Sequence, residues 1–426
     1  MQFTALRRVS PEDLDAAVRT QSRPGVAWIV DSVQREGDAA VARIAAELGD
    51  PPPRRIPAAE IESAHENVQA DLFDALEGAA ARIERFARAQ RASLHDVSIQ
   101  SAGAQIGHRI VPVGRAGVYV PAGRHPLVSS MLMCAIPARV AGVAQIVACT
   151  PKADAVMLTA ARIARVDAVF EIGGAQAIAA LAFGTQTVPR VDIIAGPGNA
   201  YVDAAKRLVN GACGIDGFAG PSEVLLLASR DGDPNLVAAD LLAQAEHDAD
   251  ARAMLITDSG DFAEQVDAAL VSQLALLRFP QTAMRSLTAN GTCTIARLSD
   301  GVEIADRIGA EHVGLHGKAA EALADRLSVY GSLFAGAQTS QVFGDYGIGP
   351  NHVLPTGGSA RYNSGLSVLT FLTVRTYQRA ARVDASVVHQ IAKLAQAEGL
   401  QAHRAAALAR AAEETSYAVS SQRNPT

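Results

Sequence analysis

The sequence predicts an α/β protein that is built on parallel sheets with crossover helices. From about residue 108 onward, short apolar segments of strand length alternate with segments of helical periodicity, which is typical of strand–helix–strand units. Aromatic residues make up only 4% of the chain and alanine is abundant, so small side chains would let helices approach strands closely. The 426 residues are enough for two or three domains with a large core.

The first hundred residues are predicted to be mainly helical. Ser10-Pro11-Glu12-Asp13 is typical of a helix start, with serine at the N-cap and proline at the first helical position. Apolar residues recur at spacings of three and four over residues 10–48 and 58–92, which predicts helices there. Three prolines at 51–53 predict a loop between these helices.

Strands and helices then alternate. Residues 108–121 are rich in β-forming side chains and end in Val118-Tyr119-Val120-Pro121. The predicted strands that follow are Ile146–Cys149, Ala168–Ile172, Asp192–Ala195 and Glu223–Leu227, and the predicted helices between them are about 128–141, 153–165, 175–184 and 199–210. This order predicts a parallel sheet whose crossovers are helices.

A second alternation begins at Asp233-Pro234, which is predicted to open the helix that carries Gln244 and His247. The other elements predicted in this half are strands Ala253–Ile256 and Thr292–Arg297, helices 260–276 and 317–327, and one long helix or a helix pair over 384–415. Residues 338–366 are rich in Gly, Ser, Thr and Asn and have little periodicity. We therefore expect a long structured loop there, of the kind that carries function.

Charge and cysteine content exclude several classes of protein. The net charge is −6, and Lys and Arg form no basic face or polybasic run, so we expect neither a nucleic-acid partner nor a membrane partner. Four widely separated cysteines argue against a zinc ribbon, a redox dithiol and a disulfide framework. No signal peptide is predicted, and the most apolar stretch, 126–149, is broken by Pro137 and Arg139. Cytoplasmic localisation is the expectation.

Two glycine-containing turns follow predicted strands and open predicted helices. They are Gly173-Gly174-Ala175-Gln176 and Ala195–Tyr201, which reads Ala-Gly-Pro-Gly-Asn-Ala-Tyr. Free N–H groups at a helix start can hold a phosphate, but the second turn lacks the third glycine of the dinucleotide fingerprint. Each turn alone is equally consistent with a tight structural connection. Two such turns at neighbouring strand ends favour a crevice that binds a ligand.

Gln244 and His247 are candidates for a metal site. In a helix, side chains three residues apart project from one face at about 5–6 Å, and an amide oxygen beside an imidazole can be half of a mixed site. A buried polar pair with a structural role is the alternative. With Asp345 from the glycine-rich loop and His403 from the C-terminal helix, the set would comprise two imidazoles and two oxygens. Such a set suits Zn²⁺ and tolerates Mn²⁺ or Co²⁺.

Glu311-His312 is the candidate acid–base pair, because histidine is the commonest general base near neutral pH. Adjacent strand residues face opposite ways, so both side chains could serve one site only at a turn. The structural alternative is an exposed Glu-His dipeptide.

Together these motifs resemble the histidinol dehydrogenase family. The blocks that carry the resemblance, in one order between about residues 110 and 410, are Tyr119-Val120-Pro121, Ser129–Gly142, Gly173–Gly184, Gly196–Val202, Gly220–Val224, Gln244–His247, Glu311-His312 and Gly344–Thr356. The resemblance implies oxidation of L-histidinol through L-histidinal to L-histidine with two NAD⁺, the last step of histidine biosynthesis. His312 would take the alcohol proton, and Glu311 would activate the water that hydrates the aldehyde.

The resemblance also implies the roles of the other site residues. Zinc would be held by Gln244, His247, Asp345 and His403; these ligands, His312, Ser222, Tyr346, His352 and Glu398 would contact the substrate; Tyr119, Gln176 and Asn199 would contact NAD.

The implied fold has two incomplete Rossmann-like parallel-sheet domains with small helical terminal appendages, in a domain-swapped homodimer. The expected divisions are an N-terminal appendage over 1–22, a first domain with the metal and catalytic residues over 23–118 and 224–366, a second domain with NAD over 119–223, and a C-terminal helical domain over 367–426. The last would reach the partner subunit, so Glu398 and His403 would complete the partner's site.

Two segments depart from the family pattern. Val313-Gly314 follows Glu311-His312 where the family has leucine and an acid, and 369–378 lacks the usual acidic pair and Lys-Arg. The ending Thr376-Tyr377-Gln378 is similar to a branch that oxidises sulfopropanediol. The substrate is therefore either L-histidinol or another small polar alcohol. A non-catalytic metal or nucleotide sensor is disfavoured because no ligand is lost, and a zinc hydrolase would not need the glycine turns.

Overall fold

The computed structural model describes residues 5–14, 25–122, 127–218 and 220–411. These residues form two compact units. The first comprises the described parts of 1–91 and 112–371, and the second those of 92–111 and 372–426.

The strands and helices have the following bounds. The strands are β1 Arg7–Arg8, β2 Arg54–Arg55, β3 Val97–Ser101, β4 Ala104–Pro112, β5 Arg115–Tyr119, β6 Gln145–Thr150, β7 Ala168–Glu171, β8 Ile193–Ala195, β9 Gly214–Ile215, β10 Glu223–Ala228, β11 Arg252–Thr257, β12 Thr292–Ile295, β13 His312–His316, β14 Ser332–Ala335 and β15 Leu372–Arg379. The helices are α1 Ala27–Glu36, α2 Asp38–Leu48, α3 Ala58–Ser63, α4 Ala70–Ala92, α5 Val128–Ala141, α6 Ala155–Ile163, α7 Gly174–Phe183, α8 Ala200–Val209, α9 Pro234–Ala245, α10 Gly260–Leu274, α11 Gln281–Asn290, α12 Leu298–Ile308, α13 Lys318–Glu321, α14 Gln341–Asp345, α15 Ala385–Ala397 and α16 Gln401–Ala409.

The first sheet has six parallel strands in the order β1-β12-β11-β10-β13-β14. Both of its faces are covered, as a parallel sheet requires. On β10, Val224 and Leu226 pack into a core with α9 and α10, whereas Leu225 and Leu227 pack into a core with α12. Residues of β10 therefore alternate between two cores, and its buried run EVLLLA follows from that position.

The second sheet has the order β2-β7-β6-β5-β8-β9, with β2 antiparallel to β7 and the other pairs parallel. Helices α1 and α2 pack on it through Val30 and Ile44, beside Ile178 and Leu181 of α7. The domain division at residues 119 and 223 stays a prediction. Strand pairing places β5 in the second sheet and β10 in the first.

The predicted α/β alternation is confirmed at the level of elements. Each of the four predicted crossover helices between 128 and 210 forms, with ends within about two residues of those expected. The helix start at Ser10 is confirmed, since the Asp13 N–H donates to Ser10 Oγ at 3.2 Å. Residues 15–24 lie outside the described part of the chain.

Three predicted helices are wrong in extent. The segment 10–48 is broken between α1 and α2 at Gly37, whose φ of +60° is incompatible with a continuing helix. The segment 58–92 is interrupted between α3 and α4 by a 3₁₀ turn over Ala64–Asn67. The helix predicted over 317–327 is reduced to α13.

The second unit contains a sheet that the sequence did not predict. Its strands have the order β15-β4-β3, and the β3–β4 hairpin turns at Ala102 and Gly103, both with positive φ. The C-terminal segment therefore begins with a strand, not only with helices. The helix pair allowed by the sequence forms as α15 and α16. None of the helices in the described ranges is long and apolar enough to cross a membrane.

Candidate active site

The candidate acid–base pair lies at the amino-terminal edge of the first sheet. Glu311 stands in a bend before β13, and His312 is the first residue of that strand. The backbone of Glu223, which begins β10, contacts both side chains: its N–H donates to Glu311 Oε2 at 2.9 Å, and its carbonyl accepts from His312 Nδ1–H at 3.2 Å. Glu311 Oε2 and His312 Nδ1 are 3.7 Å apart. The bend thus lets adjacent residues serve one site.

Burial sets the proton affinities of this pair. Glu311 and His312 are each only 5% exposed, so the alternative of an exposed Glu-His dipeptide is wrong. Loss of hydration raises the pKa of Glu311 well above its usual value, and the nearby Glu223 and Asp345 carboxylates raise it further. Loss of hydration lowers the pKa of His312. Since Nδ1–H is donated to a carbonyl, the neutral ring presents an unprotonated Nε2, as a general base requires.

Asp345 lies between three histidines. Its Oδ1 is 3.7 Å from His312 Nε2, and its Oδ2 is 4.0 Å from His247 Nε2. Its carbonyl accepts from His352 Nδ1–H at 2.8 Å, and His352 Nε2 accepts from the Ser130 hydroxyl at 2.9 Å. Asp345 is the last residue of α14, so its expected position in a loop is wrong.

The electrostatics of Asp345 favour the carboxylate. Burial alone would raise its pKa, but the contact with His247 and the fields of His312 and His352 outweigh burial and lower the pKa. The same contact raises the pKa of His247, against the effect of burial. A carboxylate therefore faces imidazole nitrogens at the expected metal position.

Gln244 and His247 adopt a different local structure from the one predicted. Helix α9 ends at Ala245, and His247 lies in the turn that follows, with its N–H donating to the Gln244 carbonyl at 3.3 Å. Gln244 is 1% exposed, and its Nε2 has no hydrogen-bond partner within the described ranges. An unpartnered buried NH2 donor is costly unless an acceptor completes it, and its amide oxygen is the atom that could bind a metal.

The residues of the first unit fit a metal ion that takes nitrogen and oxygen ligands. Tetrahedral Zn²⁺ with bonds of about 2.0–2.1 Å holds its ligand atoms roughly 3.3 Å apart, and the His247–Asp345 atoms need only a small approach from 4.0 Å. In the part of the chain that the structure describes, no three His, Cys, Asp or Glu side chains form a ready metal cluster. A metal ion bound to His247 and Asp345 would therefore need Gln244 and one further ligand.

Glu398 and His403 belong to the second unit. Glu398 follows α15 and His403 lies in α16, and both are exposed. Their expected role in the partner's site stays a prediction.

The predicted NAD contacts lie at the carboxyl ends of strands in the second sheet. Tyr119 ends β5, and its hydroxyl accepts from the Gly174 N–H at 3.0 Å. Gln176 donates from Nε2 to Asp50 at 3.2 Å, while its Oε1 is buried without a partner in the described chain. Asn199 caps α8, with Oδ1 accepting from Tyr201 and Val202. An unpartnered amide oxygen beside a glycine turn fits a ligand that donates hydrogen bonds.

A buried ion pair fixes the turn at Gly196. Lys206 Nζ is 2.6 Å from Asp216 Oδ1 and donates to the Gly196 carbonyl at 2.5 Å, while Asp216 Oδ2 accepts from the Gly196 N–H at 2.7 Å. Gly196 has a φ of +123°, and a Cβ there would overlap the Tyr119 carbonyl. The turn is therefore held against β5 in one conformation that only glycine fits.

Comparisons with known proteins agree with this geometry. A family model described as Histidinol dehydrogenase matches residues 14–411. Histidinol dehydrogenase from Agrobacterium fabrum is 42% identical over 414 residues, covering 94% of this chain and 93% of that protein. The one from Haloarcula marismortui is 44% identical over 399 residues, covering 92% and 94%. The crystal structure of histidinol dehydrogenase from Elizabethkingia anophelis matches with a TM-score of 0.90 at 30% identity, covering 98% of this chain and 100% of that one.

This chain belongs to the histidinol dehydrogenase family. It is an enzyme, a dehydrogenase that acts on a CH–OH donor.

Ser222 and Tyr346, two of the residues expected to bind substrate in this histidinol dehydrogenase family member, differ from each other in their surroundings. The Ser222 side chain hydrogen-bonds to Glu311 and so lowers the pKa of that carboxyl in part. Tyr346 is 65% exposed, which leaves its ring free to contact a ligand.

Three further residues of the site were not singled out from the sequence. Ser130 contacts His352, Glu223 holds the acid–base pair, and Asp240 is buried in α9. A signal existed for two of them, because Glu223 begins the apolar strand EVLLLA and Asp240 interrupts the apolar helix VAADLLAQA. A charged residue inside an apolar run needs a buried partner. Ser130 in α5 gave no comparable signal.

Proposed function

We propose that this protein oxidises L-histidinol to L-histidine through L-histidinal, with NAD⁺ as the hydride acceptor and a bound Zn²⁺. The observation that carries the proposal is the attachment of both catalytic side chains to one residue's backbone: Glu311 accepts from the Glu223 N–H, and His312 donates to the Glu223 carbonyl. This arrangement presents a carboxyl and an imidazole side by side, both buried and both with shifted pKa values.

His312 is the general base for the alcohol. The Glu223 carbonyl fixes the tautomer, so the lone pair of Nε2 is free. Nε2 takes the proton of the substrate hydroxyl while a hydride leaves the carbon that bears this hydroxyl. The C–O bond then becomes the C=O of the aldehyde. The lowered pKa keeps this ring neutral before the step, so it is ready to accept the proton.

Glu311 activates water in the second half of the reaction. A carboxyl whose pKa is raised by burial holds a proton more tightly than an exposed one, so it can accept one from water near neutral pH. The water oxygen bonds to the aldehyde carbon as Glu311 takes a proton. Loss of a second hydride from the hydrate then leaves the carboxylic acid.

Zinc and NAD⁺ would each be held by a defined set of residues. The proposed zinc ligands are Gln244, His247, Asp345 and His403, and the proposed NAD contacts are Tyr119, Gln176 and Asn199. Zinc would orient the amine and imidazole of the substrate, and positioning of this kind supplies several kcal/mol. Two NAD⁺ molecules would accept the two hydrides. Ser222, Tyr346, His352 and Glu398 are the further proposed substrate contacts.

Oxidation of another small polar alcohol, such as a sulfopropanediol, is not favoured. Relatives from two distant organisms, at 42% and 44% identity, are both histidinol dehydrogenases. The match to the family model runs through both departures, at Val313-Gly314 and at 369–378.

The test is a count of NADH formed per L-histidinol consumed by the purified protein. We expect two NADH per histidinol, loss of turnover with a chelator, and recovery with Zn²⁺. A sulfopropanediol of matched concentration serves as the control substrate. Turnover of that diol without turnover of histidinol would overturn the substrate, and one NADH per histidinol would overturn the four-electron reaction.

A further inference from the structure

A buried carboxylate occupies the apolar helix that leads to Gln244. Asp240 lies in α9, one turn before Gln244, and is only 8% exposed. Burial of a carboxylate is costly unless its oxygens are hydrogen-bonded. The partners of Asp240 therefore show what its position serves.

Asp240 bonds to two other elements. Its Oδ2 accepts from His316 Nε2–H at 3.0 Å, and its Oδ1 accepts from the Ser340 hydroxyl at 2.6 Å. Its backbone carbonyl accepts from Gln341 Nε2 at 2.7 Å. His316 and Gln341 are 2% and 3% exposed, so water is largely excluded from these bonds, which raises their strength.

Each bonded element carries a residue of the proposed site. His316 ends β13, and His312 begins it, so the two imidazoles face the same side of one strand. Ser340 and Gln341 start α14, which ends at Asp345. Helix α9 itself carries Gln244 and leads into the turn of His247.

We propose that Asp240 is a positioning residue that fixes the mutual placement of Gln244–His247, His312 and Asp345. The inference rests on the proposed function, because it concerns the geometry of the same zinc and catalytic site. The hydrogen bonds of Asp240 join helix α9 to strand β13 and to helix α14. The ring of His316 makes no other hydrogen bond among the described residues, since its Nδ1 is unpartnered, so the Asp240 bond fixes this ring on β13.

A positioning role and a purely structural role predict different effects of losing Asp240 on the metal site. Loss of Asp240 would alter the distances between metal ligands even where the fold survives. Substitutions behind metal ligands commonly lower metal affinity or activity by about 10–100-fold. A structural role alone would lower the melting temperature and leave the metal site of the folded protein unchanged.

Asp240→Asn is the direct test, because asparagine has the same shape but cannot accept hydrogen bonds on both side-chain atoms. We expect Zn²⁺ affinity, measured by competition with a chelator, to fall by about 10–100-fold. We also expect the visible absorption bands of the Co²⁺-substituted protein to change, because they report ligand geometry. Asp231→Asn is the control, since this exposed carboxylate bonds Ser229 and the Lys318 N–H just beyond the carboxyl end of β13 and has no bond to α9 or α14 among the hydrogen bonds of the described residues.

The outcomes separate this inference from the proposed function. Unchanged Zn²⁺ affinity and an unchanged Co²⁺ spectrum in folded Asp240→Asn would overturn the positioning role. A wild-type protein that neither binds zinc nor oxidises histidinol would instead overturn the proposed function. If Asp240→Asn does not fold, His316→Phe, which removes only the bond from the imidazole to Oδ2, decides by the same two measurements.

Discussion

Glu223 holds both members of the proposed acid–base pair through the backbone of a single residue. Its N–H and C=O hold Glu311 and His312, while its own carboxylate accepts from the Gly357 N–H at 2.8 Å and lies 3.5 Å from Arg252. Burial raises the pKa of Glu223, and Arg252 opposes that rise. The start of β10 is thereby tied both to the acid–base pair and to the loop that follows Thr356.

Glu311→Gln should interrupt the reaction at the aldehyde. Glutamine keeps the shape of the side chain but cannot take a proton from water, so hydration should slow by about 10²–10⁴-fold. Rapid mixing with L-histidinol should show one fast NADH per site and a slow second one. His312→Asn is the companion variant and should slow the first NADH. Two fast NADH from Glu311→Gln would contradict the assigned role.

Tyr119 should make the free energy of unfolding decrease at alkaline pH. Burial raises its pKa to about 12 from an ordinary 10, so the folded state disfavours the phenolate. The contribution is present in full below pH 10 and is lost as the pH rises to 12, by about 2–3 kcal/mol.

Urea unfolding of wild type and Tyr119→Phe at pH 9 and pH 11.5 measures this contribution. The wild type should lose more free energy of unfolding between the two pH values than the variant, since phenylalanine does not titrate. Equal losses would show that Tyr119 titrates normally.

Among the elements, the short crossover units were the most predictable. Strands β6 to β8 are apolar runs flanked by helices of regular periodicity, so local pattern and tertiary structure agree there. Strand β13, with the sequence HVGLH, has histidines at both ends and a central glycine. Its pairing with β10 and β14 makes it a strand, and that pairing is not visible in local sequence.

The third sheet and the site depend on contacts between distant residues. Strand β15 is mostly exposed and pairs with β4, more than 250 residues earlier. In the site, the residue types of Gln244, His247 and Asp345 could be predicted from motifs. The ends of helices α9 and α14 that place them could not, because packing decides where a helix ends.

The turn between β8 and α8 should depend on its buried ion pair. Lys206→Met leaves Asp216 buried without its cation, so we expect a loss of about 3–5 kcal/mol in the free energy of unfolding. Denaturation by urea measures it. The double variant Lys206→Met/Asp216→Asn should lose less than Lys206→Met alone, because no unpaired charge remains. A larger loss in the double variant would contradict this assignment.

For the molecule as a whole, two six-stranded sheets in one compact unit create two distinct kinds of edge. The proposed catalytic groups stand at the amino ends of β10 and β13, whereas the glycine turns follow the carboxyl ends of β7 and β8. The proposed chemistry and the proposed NAD contacts therefore come from different sheets, each with its own core.

The thiols should report on the integrity of these cores. All four cysteines are buried, and burial raises their pKa values, to about 11 for Cys293 and about 12 for Cys213. At pH 8 the folded protein should therefore react slowly with a thiol reagent, and four thiols should react at once after unfolding in urea. A fast-reacting thiol in the folded protein would show that one core opens readily.

Mixing two inactive variants tests the proposed sharing of sites between subunits. If His403 completes the partner's site, Glu311→Gln and His403→Ala should regain about a quarter of wild-type activity after being unfolded and refolded together, because half of the dimers are mixed and each has one intact site. Each variant refolded alone is the control. No recovery on mixing would place His403 with the Glu311 of its own chain.

The hold on the acid–base pair is made of peptide groups, which every amino acid except proline shares. Exchange of the side chain at position 223 therefore leaves both hydrogen-bonding groups in place, and only proline deletes the N–H that Glu311 accepts from. Glu223→Ala would remove the buried carboxylate from Arg252 and Gly357 but would leave these two backbone hydrogen bonds in place, so its effect would not report on them. Mutational drift can thus reshape the pocket around Glu311 and His312 while the means of aligning them persists.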